Sequence, residues 1–591
     1  MCGILGHVNH IIDEDKFSSA LNNLKHRGPD NQSIVKLDKL ILGHTRLSII
    51  DLDNRSNQPF QLGDFIIVFN GEIYNYIELK EELIRRGKTF KTNSDTEVLL
   101  VAYDFWGKDF LSKLNGMWAF AIYDRIKQEI FFSRDRYGVK PLYFYRNGQE
   151  FVFGSEIKAI LPFKEKNEVI KDEIIRYLVY GVQEHRKETL FRDVERFPKG
   201  SYGVLCLKTN KFSINHFYKI NYDKIKFKNP NDAIYSIKTI LNDSVRLRLR
   251  SDVKLGMALS GGVDSNIIVL IANRINKKIK SFTATYPNSN NHNEDSLTNK
   301  TVLKLGLNHF YKKVEIQNYI EKLEYLIWCH DEPFDTMGII AQFSVYEKMK
   351  EENIKVSLDG QGADEVFGGY KTYRVSMLKA NFFKIKFLKY YFKSNLSQIF
   401  SDTKILLASF FPSFFERLYF YKRADKLFKG QVSFVKSFKK MFYHPSNLNI
   451  KLNNDVNEYL PVLLKYVDRN SMANSIEGRG PFLDFNLVDF GFSISQDLKY
   501  KEGFSKYLLR AAYNGEIADQ ILWNKVKKGF PVPYEQWLKD ETFKKKINSY
   551  FNNSKLLKQL NINTDINPQD ALYWKIINLA IWEKQFNVEL E

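Results

Sequence analysis

A short loop rich in glycine and serine lies in the middle of the chain, between a strand-like and a helix-like segment. Residues 260–265 read SGGVDS; residues 253–259 before them alternate apolar side chains, and residues 267–271 after them are clustered and apolar. Glycines let the backbone approach an anion closely, and the N–H groups at a helix N-terminus attract negative charge. The pattern predicts a pyrophosphate-binding loop, although an ordinary Gly-Gly turn has a similar composition.

A carboxylate lies within that loop. Asp264 would repel phosphate groups unless a divalent cation lay between them, so we predict that it is a Mg²⁺ ligand. Residues 359–370, DGQGADEVFGGY, form a second glycine-rich and acidic loop after the strand-like residues 354–358. Because ligands bind at the carboxyl ends of parallel strands, the two loops are expected to hold one nucleotide between them.

A cysteine at position 2 could supply a separate chemistry. A small second residue allows Met1 to be removed, which would leave Cys2 with a free α-amine. That amine titrates at about pH 8 and can take the thiol proton, so one residue would provide both nucleophile and base. An incidental cysteine is the alternative, but with three cysteines in the chain its position favours a nucleophile.

Polar segments near the N-terminus have the composition of loops and strand ends that border a binding or catalytic site. Residues 26–30 (HRGPD) predict a polar turn, residues 43–49 predict a strand, and residues 69–75 (FNGEIYN) predict a turn after a strand at 66–68.

Length and composition limit the class of protein. With 591 residues, of which 44% are hydrophobic, the chain is expected to form two or more globular domains. Cys2, Cys206 and Cys329 are too few for a disulfide framework, which suits a reducing compartment, and we predict a cytoplasmic location. We expect neither an export signal nor a membrane span, because the longest apolar run, residues 405–415, is short.

The net charge of +19 raises the alternative of a nucleic-acid-binding protein. The charges are dispersed and no nucleic-acid-binding motif accompanies them, so we expect no nucleic-acid partner. Lysines alternate with phenylalanines and tyrosines most densely in residues 382–442, where a helical region with a lysine face is favoured over a nucleic-acid or membrane surface. The wider stretch 377–450 could shape an acceptor site, but helical packing is the preferred interpretation.

The elements that must position these groups fall into two blocks. Strand-like segments within residues 1–215 predict a layered α+β domain, whereas residues 226–591 alternate strands and helices as a parallel α/β sheet does. Residues 214–230 lose periodicity, so we place the boundary near residue 225. The predicted strands are 129–133, 142–145, 151–154, 253–259, 280–286 and 354–358, and the predicted helices are 234–249, 319–329 and 340–350.

Most of residues 1–200 resembles the N-terminal-nucleophile glutamine amidotransferases. Besides Cys2 and the segments above, the resemblance is carried by residues 94–97 (SDTE), 133–135 (SRD) and 138–143 (GVKPLY). It implies a four-layer α/β/β/α sandwich. It also implies that Cys2 attacks the side-chain amide of glutamine, forming a thioester and releasing ammonia.

The same resemblance assigns roles to five further residues. Asn70 and Gly71 would form the oxyanion hole, where an amide NH₂ and a backbone N–H stabilise the developing charge. Glutamine itself would be held by Arg46, Asp95 and Glu72. A guanidinium suits the α-carboxylate and a carboxylate suits the α-ammonium group.

The second block resembles the synthetase domain of the glutamine-hydrolysing asparagine synthetases, so the likeness extends nearly end to end. Besides the two loops, it is carried by residues 331–335 (DEPFD), 471–484 (SMANSIEGRGPFLD) and 527–530 (KKGF). It implies a Rossmann-like ATP-pyrophosphatase fold with extra helices, and ATP and Mg²⁺ as cofactors. The implied ATP- and pyrophosphate-binding residues are Ala258, Ser260, Gly261, Gly262, Asp264, Ser265, Ala284, Gly360, Gln361 and Lys527, and the implied metal ligands are Asp264 and Asp364.

The resemblance implies one overall reaction. Glutamine is hydrolysed to glutamate and ammonia, ammonia passes through an internal channel, and aspartate that ATP has adenylated is amidated to asparagine, with release of AMP and pyrophosphate. Lys527 would neutralise charge on the leaving pyrophosphate. Family members are often dimers, so a homodimer is an oligomeric state that the resemblance allows.

Gln361 departs from the family pattern, which usually has a glutamate between the two glycines of that loop. A neutral amide cannot act as a base. The departure implies slower chemistry, another base, or another carboxylate acceptor, such as a sugar acid in cell-surface polysaccharide synthesis. A further alternative is a nucleic-acid-binding module in which the two glycine-rich loops are only structural remnants. It is disfavoured, because Cys2, Asp264 and Asp364 are all present.

Overall fold

The first part of the chain consists of two antiparallel six-stranded sheets. The computed structural model describes residues 2–222, 224–287, 289, 292–380, 396–429, 443–525 and 532–591. The strands of the first part, including the short β10 outside these sheets, are β1 (Gly3–Val8), β2 (Asn31–Lys36), β3 (Leu40–Arg46), β4 (Phe60–Leu62), β5 (Phe65–Ile73), β6 (Gly116–Asp124), β7 (Glu129–Arg134), β8 (Tyr143–Asn147), β9 (Glu150–Gly154), β10 (Glu168–Val169), β11 (Val194–Arg196), β12 (Ser201–Cys206) and β13 (Lys211–His216).

The two sheets pack face to face with helices outside them. Their strand orders are β11-β8-β9-β1-β3-β2 and β13-β12-β7-β6-β5-β4. Alternate residues of each strand point inward, so the facing sides share one apolar core. Helix α1 (Glu14–Asn22) covers the first sheet, and α3 (Asp95–Trp106), with α2 (Tyr76–Arg85) beside it, covers the second. The predicted four-layer α/β/β/α sandwich is confirmed.

The second part is built on a five-stranded parallel sheet. Its strands are β14 (Leu255–Ala258), β15 (Lys280–Thr285), β16 (His309–Lys313), β17 (Val356–Leu358) and β18 (Glu477–Arg479), in the order β16-β15-β14-β17-β18. The chain progresses in opposite directions on either side of β14, so the carboxyl ends of β14 and β17 flank a switch point suited to a ligand. The predicted parallel sheet is confirmed.

The remaining helices surround these sheets, and three short strands occur outside them. The helices are α4 (Ile157–Ile160), α5 (Lys171–Ile175), α6 (Pro230–Arg248), α7 (Val263–Ile275), α8 (Asp295–Leu305), α9 (Gln317–Ile320), α10 (Leu323–His330), α11 (Gly338–Glu351), α12 (Ala363–Phe367), α13 (Lys371–Ala380), α14 (Leu396–Phe410), α15 (Pro412–Phe428), α16 (Leu448–Glu458), α17 (Leu460–Met472), α18 (Phe485–Ser493), α19 (Gln496–Lys499), α20 (Tyr507–Ala512), α21 (Asp519–Leu522), α22 (Tyr534–Trp537), α23 (Glu541–Asn553), α24 (Lys555–Gln559) and α25 (Ala571–Phe586), and the strands are β19 (Tyr500–Lys501), β20 (Phe504–Ser505) and β21 (Glu589–Leu590).

Two local predictions were wrong. The predicted turn at residues 69–75 lies mostly within β5, because its ladder with β6 pairs Asn70 with Ala119 and continues to Ile73. The single helix predicted at 319–329 is divided into α9 and α10. The helices predicted at the positions of α6 and α11 are confirmed, whereas β16 and β18 were not predicted.

Buried ion pairs join the two parts. Arg27 Nη1 lies 2.6 Å from a Glu156 oxygen and 2.8 Å from an Asp468 oxygen. Arg469 Nη1 lies 2.5 Å from Glu156, and its Nη2 lies 2.8 Å from Asp331. All five side chains are buried. Arg27 Nε also donates to the Cys2 carbonyl at 3.0 Å, so the start of the chain is held against α17, which carries Asp468 and Arg469.

The lysine- and aromatic-rich stretch 377–450 is only partly described. The second half of α15 buries Phe420, Leu427 and Phe428 in the main core, as the packing interpretation predicts. Other aromatic residues of α14 and α15 are exposed. Within the described ranges, none of the helices combines the length and the apolar character needed to cross a lipid bilayer.

Candidate active sites

A small pocket lies beside Cys2, directly before β1. Cys2 is buried, and the pocket joins segments that are far apart in sequence. The structure brings the predicted residues together here, and adds one residue of β18: the lining includes Cys2, Arg46, Gly71, Glu72, Asp95 and Glu477.

Asn70 contacts Cys2 from β5. The backbone N–H of Cys2 donates to Asn70 Oδ1 at 3.2 Å, which turns the amide towards the nucleophile. The Asn70 Nδ2 group is buried and has no hydrogen-bond acceptor in the described part of the chain. A Cβ at Gly71 would clash with the Met117 carbonyl oxygen, so glycine is required in this strand. A buried donor beside a thiol can stabilise an oxyanion.

Three buried carboxyl groups line the pocket, those of Glu72, Asp95 and Glu477. Burial raises the pKa of Asp95 to about 6, although the Ile73 N–H donates to its carboxylate at 3.0 Å. Burial and the neighbouring Asp95 raise the pKa of Glu72 well above its usual range. Burial also raises the pKa of the Cys2 thiol, so the attacking thiolate requires a base. Such a pocket favours a ligand that carries a positive charge.

Arg479 connects this pocket to the parallel sheet. Its Nε lies 2.5 Å from a Glu477 oxygen, and its Nη2 lies 3.4 Å from Glu72. Glu477 and Arg479 both belong to the motif at residues 471–484, and no role was predicted for either. The signal was a pair of opposite charges, spaced by one residue, in an otherwise apolar segment.

Arg46 lines the pocket but is already engaged by the protein. Its Nη1 donates to the Asp53 carbonyl at 2.9 Å and to Asn57 Oδ1 at 2.8 Å, and its Nη2 donates to the Asp51 carbonyl at 2.5 Å. These bonds fix the guanidinium at the edge of the pocket. Binding of the glutamine α-carboxylate by Arg46 stays a prediction.

The second predicted site lies at the carboxyl end of β14. Ser260 Oγ and Ser265 Oγ are 2.9 Å apart, and the Ser260 N–H donates to Ser265 Oγ at 3.1 Å. Gly262 caps α7, and the Gly261 N–H donates to a Glu294 carboxylate oxygen at 2.9 Å. The loop thus already binds a negatively charged oxygen, which is the chemistry that a phosphate would require.

The two glycine-rich loops meet above the switch point. A Cβ at Gly360 would lie 3.0 Å from the Cβ of Asp264, so the loops are close enough to enclose one ligand. Ala258 and Ala284 lie in the neighbouring strands β14 and β15, near their carboxyl ends. Lys527 lies outside the described residues.

Lys506 lies between the two predicted metal ligands. Its Nζ contacts Asp264 and lies 2.7 Å from Asp364. Burial alone would lower its pKa, but the two carboxylates raise the pKa of Lys506 overall. Sequence reasoning missed this residue. Its one local signal is a lysine at the start of a helix, in the FSKYLLR segment, and that is too common to single it out.

The residues present fit a magnesium ion that is shared with phosphates. Among the described residues, no group of three or more His, Cys, Asp or Glu could hold a metal by itself. Mg²⁺ commonly takes one or two carboxylates and completes its shell with substrate phosphates and water. Asp264 and Asp364, which meet at Lys506, match that donor set.

The loop with Gln361 also contains a carboxylate that was not assigned a role. The Gln361 N–H donates to Asp359 Oδ1 at 3.0 Å. Burial raises the pKa of Asp359 to about 6. A carboxylate with such a pKa can exchange a proton near neutral pH, which the neutral Gln361 side chain cannot do.

Comparison with known proteins identifies the family. A sequence model for glutamine amidotransferase domains matches residues 1–218, and one for asparagine synthases matches residues 236–567. Asparagine synthetase [glutamine-hydrolyzing] 1 of Bacillus subtilis (strain 168) is 31% identical over 92% of this chain and 88% of its own. The chain belongs to the family of glutamine-hydrolysing asparagine synthetases. A second B. subtilis member, asparagine synthetase 3, is 28% identical over 91% of this chain and 89% of its own.

This protein is therefore a glutamine-dependent ligase, and its family membership implies that it uses ATP. The family also has relatives with other names: Amidase chyE of Penicillium rubens is 26% identical over 90% of this chain and 86% of its own. Membership therefore shows the type of reaction and leaves the acceptor carboxylate as a separate question.

Proposed function

We propose that the protein is a glutamine-dependent asparagine synthetase, with glutaminase chemistry in residues 1–215 and ATP-dependent amidation of aspartate in residues 226–591. The observation that carries the proposal is the position of β18. Glu477, at its start, lines the Cys2 pocket, and Gly480, just after its end, would place a Cβ 3.6 Å from the Gln361 carbonyl oxygen. One short strand thus connects a nucleophile site with a nucleotide-type loop.

In the first half-reaction, removal of Met1 gives Cys2 a free amine that accepts the thiol proton. The thiolate adds to the side-chain carbonyl carbon of glutamine, and the Asn70 amide and Gly71 N–H bind the oxyanion. The C–N bond breaks as the nitrogen gains the proton, so ammonia leaves and a thioester remains. Water then hydrolyses the thioester to glutamate. The Asp95 carboxylate accepts the substrate α-ammonium group, and Glu72 lies beside it in the same pocket.

In the second half-reaction, the acceptor carboxylate attacks the α-phosphate of ATP, and pyrophosphate leaves. The Ser260–Ser265 loop binds pyrophosphate, and Lys506 stabilises the charge that develops on it. Bound Mg²⁺ would neutralise phosphate charge, held by Asp264 and Asp364. Ammonia then displaces AMP from the acyl carbon, and the excess proton passes to a nearby base.

A second candidate function differs only in the acceptor. Gln361 replaces the glutamate expected between the two loop glycines, and the buried Asp359 is the nearby carboxylate with a pKa of about 6. An acceptor other than aspartate, such as a sugar acid, would use the same ATP and ammonia chemistry with this altered loop.

The deciding experiment supplies the purified protein with ATP, Mg²⁺ and glutamine labelled with ¹⁵N at the amide. Aspartate, glutamate and a set of uronic acids are tested singly, and AMP and labelled amide products are quantified by mass spectrometry. The proposal requires labelled asparagine and an equal amount of AMP with aspartate. AMP formation with a sugar acid and none with aspartate would favour the second candidate, and ADP with inorganic phosphate would contradict both.

The variant Cys2→Ala tests the division into two sites. It should lose glutamine-dependent synthesis by a factor of at least about 10³ and retain synthesis from ammonium salts, because the two half-reactions use separate residues. Asp264→Asn should have the converse effect: this variant should retain glutaminase activity and lose AMP formation. Loss of both activities in Cys2→Ala, in protein that is still folded, would contradict separate sites.

A further inference from the structure

Helices α14 and α15 expose a large apolar surface. Five large apolar side chains of these helices and of the residue between them have relative exposures between 44% and 68%: Phe400, Leu407, Phe411, Phe414 and Leu418. We call these five residues the hairpin face. Exposed apolar residues are normally scattered singly, and a contiguous cluster marks an interaction surface.

Helix α14 is buried on one side only. Asp402, Leu406, Ala408 and Ser409 are buried, whereas Phe400 and Leu407 are exposed. Asp402 is held by an ion pair of 2.9 Å with Arg374 of α13. This ion pair and the packing of Leu406 on Val375 and Leu378 fix the helix to the protein, and Phe400 and Leu407 remain exposed.

The helix pair is anchored firmly at its far end. Phe420 packs on Tyr180 with ring centroids 4.6 Å apart, and Arg423 Nη2 donates to the Leu178 carbonyl at 3.1 Å. Leu427 and Phe428 belong to the main core. The hairpin face is therefore presented by an element that is attached to the body of the protein at its other end.

The stretch of sequence that contains α14 and α15 is strongly basic. Residues 381–442 contain 13 Lys and Arg against three Asp and Glu, a net charge of +10 out of +19 for the whole chain. One of the three acids is the ion-paired Asp402. Lys404, Arg417 and Lys422 are exposed on the two helices themselves, and Lys404 Nζ lies 4.3 Å from the centroid of the Phe400 ring.

We propose that the hairpin face docks on an anionic membrane surface. Aromatic and leucine side chains bordered by lysine and arginine match a lipid interface, where the apolar groups enter the headgroup boundary and the cations meet anionic lipids. A symmetric contact between two copies through this face would bring the exposed Lys404, Arg417 and Lys422 of both copies close together, and like charges would oppose it. The charge pattern therefore favours lipid over a second copy of the chain.

The test is sedimentation of the full chain with vesicles of phosphatidylcholine, with and without phosphatidylglycerol. The wild type should bind only the anionic vesicles, and added salt should weaken binding because exposed charges are screened. The double variant Phe411→Asp/Phe414→Asp should bind at least about tenfold more weakly. Lys404→Glu/Lys422→Glu should also weaken binding, with the apolar residues intact.

Leu303→Asp is the matched control, because Leu303 is an isolated exposed leucine of α8, with a relative exposure of 83%. It should bind vesicles like the wild type, and all variants should keep vesicle-free glutaminase activity. Equal binding by the Phe411/Phe414 variant and the wild type would overturn the proposal, as would equal binding to neutral vesicles. A wild-type dimer that this variant converts to a monomer, with no vesicle binding, would assign the face to a second copy instead.

Discussion

At the scale of single residues, we predict that the charge of Asp95 decides what the Cys2 pocket can bind. Its carboxylate is buried beside Glu72 and Glu477, and burial raises its pKa to about 6. Above that pH the pocket contains an anion that can accept the ammonium group of an amino acid. Below it Asp95 is neutral, and the attraction is lost.

The affinity for glutamine should therefore fall as the pH falls through about 6. In the inactive variant Cys2→Ser, calorimetry from about pH 7.5 to about pH 5 should show a loss approaching tenfold per pH unit below that value, because protonation of Asp95 competes with the ligand. Asp95→Asn in the same background should bind weakly with little dependence on pH. An affinity that stays constant across this range would contradict the assignment.

At the scale of elements, the predicted ATP site depends on how closely the glycine-rich loops at residues 260–265 and 359–370 approach Lys506, which directly precedes α20. A Cβ at Gly369 would clash with both the Asp364 carboxylate and the Lys506 side chain. The backbone N–H of Gly369 donates to the Asp364 carbonyl at 2.9 Å, which holds the turn in place. The absence of a side chain here lets Lys506 reach the two carboxylates.

Gly369→Ala should therefore reduce AMP formation by a factor of at least about 10², because the added methyl group displaces the Asp364–Lys506 pair. Glutaminase activity should remain within about twofold, since its residues lie on other elements. Gly515→Ala is the control: its Cβ would meet no atom within 4 Å, and its cost should be limited to local backbone strain at φ +78°. An unchanged rate of AMP formation in Gly369→Ala would contradict the role of this turn.

At the scale of the whole molecule, buried charges hold the glutaminase part against the synthetase part. Arg27 pairs with Glu156 and Asp468, and its Nε donates to the Cys2 carbonyl at 3.0 Å. One guanidinium thus ties the nucleophile segment to a helix of the other part. Without the Arg27 guanidinium, the buried carboxylates of Glu156 and Asp468 would each lose one positively charged partner.

Arg27→Met should lower the free energy of unfolding by about 3 to 5 kcal/mol, as expected when one partner of a buried ion pair is removed. Tryptophan fluorescence in urea measures the change. Lys36→Met is the control, because the Lys36–Glu14 pair is exposed and should contribute less than about 1 kcal/mol. A loss for Arg27→Met no larger than that of the control would show that the buried network carries little of the stability.

Much of the architecture could be predicted from local sequence. The alternating strand before Ser260, the glycine loop and the helix after it are neighbours in the chain, so their pattern is visible without a fold. The same holds for the position of Cys2 and for α6 and α11. Where tertiary contacts competed, the prediction failed: the ladder with β6 extends β5 through Asn70 and Gly71, although their composition favours a turn.

The chain by itself therefore predicted two kinds of chemistry, because a cysteine at position 2 and a donor-rich loop are local properties. Only the tertiary structure decided which distant residues complete each site. Lys506 is 242 positions from Asp264, and Glu477 reaches the Cys2 pocket from the other half of the chain. Such contacts depend on the register of strands and the packing of helices, which no local pattern of residues specifies.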